Sequence, residues 1–131
     1  MTQRGTHSAI LAALLAPLVL LALGAVRRGA VVAWLQDPGQ LLSNWIYMAA
    51  PSGVAMLIAL AMRSARPRFL PAALLSLTAV LVAFQLWVWL AVPVRESALS
   101  WVLYHPLCLV TLVAVSLASA VRGIAKRPPA A

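Results

Sequence analysis

The sequence predicts an all-α integral membrane protein: a four-helix bundle of transmembrane helices joined by short loops, one domain over residues 1–131. Three observations predict it. Of 131 residues, 64% are hydrophobic and 9% are charged, whereas soluble domains run at roughly 45–50% and 25%. The apolar residues gather into four runs, each close to the roughly 20 helical residues that cross a hydrocarbon core about 30 Å thick. No run has Asp, Glu, Lys or Arg in its interior; the charges sit at the ends, where they reach water cheaply. The same numbers exclude a soluble enzyme and a disordered chain.

The first span covers about residues 8–26 and stops at Arg27-Arg28. Residues 1–25 also have the outline of a secretory signal peptide, with a basic start, an apolar run and small residues near Ala22 and Gly24. That run is longer than a usual signal core, so an uncleaved span is the first reading and cleavage the alternative. Residues 27–43 form a longer outer segment. Its apolar stretch Ala30 to Leu35 is too short to cross, so an interfacial helix or an extension of the first span is expected there. A turn follows at Asp37-Pro38-Gly39. The second span, about 44–62, is capped by Ser43 or Asn44 and stops at Arg63. The third, about 69–92, follows Arg66-Pro67-Arg68 and has Pro67 and Pro71 near its start, where a missing N–H matters little. The fourth, about 100–121, is expected to be capped by Ser97 or Ser100, has Pro106 in its first two turns, and stops at Arg122. Short links imply antiparallel neighbours. Pro17 and Pro51 fall inside spans and predict local kinks, tolerated where neighbouring helices satisfy the freed carbonyls.

Helices in lipid associate through close packing and polar contacts. Small residues at helical spacing therefore mark candidate interfaces. They are Ala12 and Ala16; Ala49 with Gly53, and Ala55 with Ala59; Ala72, Ser76, Ala79 and Ala83; and Ala114 with Ala118, beside Ser116 and Ala120.

The net charge of +8 comes from basic residues beside apolar runs, so it marks topology and the lipid bilayer, with no nucleic-acid partner. Arg4, Arg63, Arg66, Arg68, Arg122, Lys126 and Arg127 fall on one side, and only Arg27, Arg28 and Arg95 on the other. The positive-inside rule then places both termini in the cytoplasm. Arginine outnumbers lysine and Ala, Leu and Val abound, a bias of GC-rich bacterial genomes, which suggests a bacterial inner membrane. In this orientation Trp34, Trp45, Trp87, Trp89 and Trp101 form one outer aromatic belt. The basic inner rim of Arg63, Arg66, Arg68, Arg122, Lys126 and Arg127 can anchor topology or meet anionic headgroups.

The polar candidates lie in the outer half. Gln85 and His105 fall at depths about 3 Å apart, counting 1.5 Å per residue, with Asn44, Tyr47 and Tyr104 near the same level. Two roles are open: an outward-facing polar pocket with His105 as ligand or proton carrier, or a hydrogen-bonded lock between helices. The single Cys108 forbids an internal disulfide and dithiol chemistry, and His7 and His105 are too far apart to share a metal. No catalytic residue, cofactor or metal site is therefore expected. The sequence predicts a small multi-pass membrane protein that is not an enzyme and acts as a binding or accessory subunit, with a membrane-protein partner or a second copy of itself. The alternative is a small oligomeric channel or transporter using the Gln85 and His105 region.

Overall fold

The computed structural model describes residues 3–63, 65–126, 128 and 130, so Arg127 of the basic rim lies outside the described residues. Four helices are long and apolar enough to cross a membrane, as fits a small membrane protein: α1 (Gln3–Arg27), α3 (Pro38–Ala61), α4 (Arg66–Ala91), and a last one running Ser97–Ala125. That last helix divides into α5 (Ser97–Ser100), a 3-10 turn (Trp101–Leu103) and α6 (Tyr104–Ala125). A short helix, α2 (Val31–Gln36), lies between α1 and α3. Each long helix starts before the apolar run that predicted it, while α3 and α4 end one residue short of theirs.

The helix ends follow local chemistry. Gly29, at φ +64°, ends α1. Its N–H bonds Val26 and the N–H of Ala30 bonds Ala25, a Schellman closure that only a residue free of Cβ strain adopts easily. α3 starts six residues earlier than expected, at Pro38 rather than Asn44. The Asp37 carboxylate accepts from the N–H of Gln40 at 3.0 Å, and Pro38 sits where its missing N–H is harmless. What looked like a bare turn is thus a capped helix start, and Ser43 and Asn44 lie inside the helix. Ser97 and Ser100 do not cap either: their hydroxyls donate back to the carbonyls of Val94 and Ser97. Pro71 falls inside α4 rather than at its start, because α4 begins at Arg66.

α4 is the hub, packing against α1, α3 and α6. Its buried row Phe69, Ala73, Leu77, Leu81, Phe84 and Val88 is mostly large. The faces it meets on α1 and α3 are mostly small: Ala9, Ala13 and Pro17, then Ser52, Ala55 and Ala59. Large side chains on one helix against small ones on two neighbours let the backbones approach without voids. The expectation of small-residue interfaces thus holds for Ala55 and Ala59, with Ala12 and Ala16 half-buried at the edge of the α1 contact. It fails elsewhere: Ala72, Ala79 and Ala83 on α4, Ala114, Ala118 and Ala120 on α6, and Gly53 on α3 all face outward, while Ser76, Ser116 and Ala49 are half-buried.

Arg27 at the end of α1 reaches the end of α4, and Arg68 at the start of α4 lies beside Gly123 near the end of α6. The bundle therefore runs up and down. One end carries α2, Arg27 and Trp89 (the tryptophan end), and the other carries Arg68 with the start of α1 and the end of α6 (the basic end).

Candidate polar clasp and pocket at the tryptophan end

Two interior prolines set the chemistry. Pro51 has no N–H to give the carbonyl of Tyr47, one turn back in α3. An unpaired carbonyl in hydrocarbon is costly. His105 of α6 supplies the donor, its Nε2 lying 3.0 Å from the Tyr47 oxygen. A carbonyl only accepts, so Nε2 carries the hydrogen. The next carbonyl, Met48, accepts the Tyr104 hydroxyl at 2.9 Å. In return the Tyr47 hydroxyl donates to the carbonyl of Trp101 at 2.7 Å, in the 3-10 turn. That turn precedes Pro106, which likewise cannot donate to Val102, so the chain there tightens. Three hydrogen bonds thus clasp α3 to the last helix. Rings pack around them: Tyr47 on His105 with centroids 4.2 Å apart, and Phe84 against Trp101 at 5.0 Å and Tyr104 at 5.6 Å.

Pro17 leaves the carbonyl of Ala13 without a helical donor. It loosens the turn behind it in α1, and the Trp45 indole of α3 donates to the Leu14 carbonyl in that turn at 3.0 Å. Trp45 is therefore drawn between helices, midway along α1, and does not stand in an interfacial belt. The arginines also serve helix ends. Arg27 donates to the carbonyl of Trp89 at 3.1 Å with its guanidinium 5.6 Å from that ring's centroid, and Arg66 Nε donates to Ala59 at the end of α3. Both caps satisfy carbonyls that have no partner within their own helix.

Beside the clasp, a cavity of about 610 Å³ opens at the tryptophan end between α1, α3, α4 and the link to α5. Arg27, Arg28, Asn44, Tyr47 and Gln85 line it among apolar residues that include Leu20, Met48 and Val88. Of the expected polar group, Tyr47, Tyr104 and His105 come together in the clasp, while Gln85, Asn44 and Tyr47 face the cavity. No hydrogen bond joins Gln85 to His105 among the described residues: the two share a depth but not a direction. Asn44 accepts from Gln40 on its own helix at 3.2 Å. His7 bonds its own helix at Gln3, and Cys108 is a buried apolar neighbour of the clasp. Of the basic rim, Arg66 is committed to its cap and Arg68 lies by Gly123, while Arg63, Arg122 and Lys126 are exposed.

The cavity's Arg27 and Arg28, and the role of Trp45, were not foreseen. Pro17 announced a loosened turn, but the carbonyl it frees is that of Ala13, so it did not single out the Leu14 carbonyl that Trp45 serves. No known family, characterised protein or solved structure matches the chain.

Proposed function

We propose that this chain is a multi-pass protein of a bacterial inner membrane, with both termini in the cytoplasm, acting without catalysis as a binding or accessory subunit of a membrane assembly. One observation carries the reading: the outward small-residue face of α4, with Ala72, Ala79 and Ala83 exposed although α4 is the hub of the fold. Small residues facing lipid give a neighbouring helix a place to approach closely. Ala83 also lines an apolar groove of about 580 Å³ between α4 and α6, together with Trp87, Pro106 and Val110. The commitment of Tyr47, Tyr104 and His105 to holding the bundle together supports a scaffold role, because it leaves no span imidazole or phenol free for chemistry.

The test is native mass measurement of the complex drawn from its own membrane in mild detergent. Wild type is expected to exceed the mass of a single chain. Ala79→Leu with Ala83→Leu is expected to reduce it to one chain while the melting temperature holds, because both positions face away from the core. A wild-type protein that is a lone chain under these conditions refutes the reading. The cavity beside Gln85 favours a second reading, a small oligomeric channel or transporter. That reading requires Gln85→Ala to abolish a measured flux at normal expression.

A further inference from the structure

Gln85 is only 6% exposed, yet among the described residues its amide makes no hydrogen bond. It lines the cavity at the tryptophan end. Its amide is open to the cavity, where a donor or acceptor of a bound molecule can complete its hydrogen bonding. At the mouth, among the described residues, Arg27 and Arg28 hydrogen-bond only to carbonyls, those of Trp89 and Gly24. The Asp37 carboxylate caps α3, and Glu96 does not line the cavity. Water would satisfy Gln85 but leaves the apolar wall and two cations without a counterpart.

The order of groups along the cavity is informative. The cations stand at the mouth by Trp89. Gln85 lies one turn further in on α4, about 6 Å along its axis. Leu20 and Met48 supply apolar wall. An acidic glycerolipid presents its groups in that sequence: phosphate, ester carbonyl, acyl chain. We propose that the cavity holds an anionic amphiphile, its phosphate on Arg27 and Arg28, a carbonyl or hydroxyl on the Gln85 amide, and its chain against the apolar wall. Charge-assisted bonds from guanidinium to phosphate are the strongest available there, and about 610 Å³ suits a head with the first part of its chain. The site stands whether or not the protein is an accessory subunit.

Purified protein in a neutral maltoside detergent is titrated with dioctanoyl phosphatidylglycerol, dioctanoyl phosphatidylcholine or inorganic phosphate. Tryptophan fluorescence reports binding, since Trp89 and Trp101 line the cavity. Phosphatidylglycerol is expected to give a saturable change, phosphatidylcholine to bind at least about tenfold more weakly, and phosphate to give none. Arg28→Gln and Gln85→Leu are each expected to weaken phosphatidylglycerol about tenfold. Arg28 is the safer variant, because its hydrogen bond is to its own helix, and an unchanged melting temperature verifies its fold. Saturable binding of phosphate as tight as the lipid makes this a free-anion site and overturns the proposal. So does phosphatidylcholine binding equally well, the absence of any saturable change, or both variants binding like wild type.

Discussion

His105 is the residue whose meaning changes most once its neighbours are known. Its Nε2 serves the carbonyl that Pro51 leaves open. His105→Ala is expected to destabilise the bundle by about 0.6–2 kcal/mol, the range for hydrogen bonds between membrane helices. Pro51→Ala returns an N–H to α3, so in that background the cost of His105→Ala should fall by half or more. The remainder reflects the lost stacking on Tyr47. Reversible unfolding in mixed micelles measures both, and an equal cost in the two backgrounds contradicts the clasp. The need for a donor was legible from Pro51 alone. Its identity was not, and Gln85 shows why. Counting residues places a side chain along the membrane normal, but the direction in which it points around its helix depends on how neighbours are turned. Gln85 and His105 agree in the first and differ in the second.

At the level of helices, the existence of four spans was legible because hydrocarbon demands length and apolarity together. Which faces meet was not. Alanine is so common here that stripes of it arise on faces toward lipid as well as toward protein, and the structure fills its interior from α4 with Phe, Leu and Val instead. Helix ends were half legible: Asp37-Pro38 was noticed as punctuation, though it is an N-cap with a proline behind it. The α1–α3 contact offers a direct check. Trp45→Phe removes the donor to Leu14 while keeping an aromatic ring, and should cost about 0.6–2 kcal/mol. Trp87→Phe, at an exposed position, should leave the melting temperature unchanged. Equal losses from the two variants contradict the pairing of Trp45 with the Pro17 turn.

For the whole molecule, the distribution of charge predicts orientation. Arg63, Arg66, Arg68, Arg122 and Lys126 share the basic end with the start of α1 and the end of α6, so a reporter at the C-terminus is expected to be active only on the cytoplasmic side. One inserted between Val94 and Glu96 should be active only on the opposite side; the reverse pattern refutes the assignment. The clasp has one more consequence, for how the chain is made. α3 enters the bilayer before the helix that completes it has been synthesised. Until His105 arrives, the Tyr47 carbonyl that Pro51 leaves open would have no donor, and a nascent chain halted after α4 would stay marked as unfinished. The last helix to leave the ribosome is the one that certifies the second.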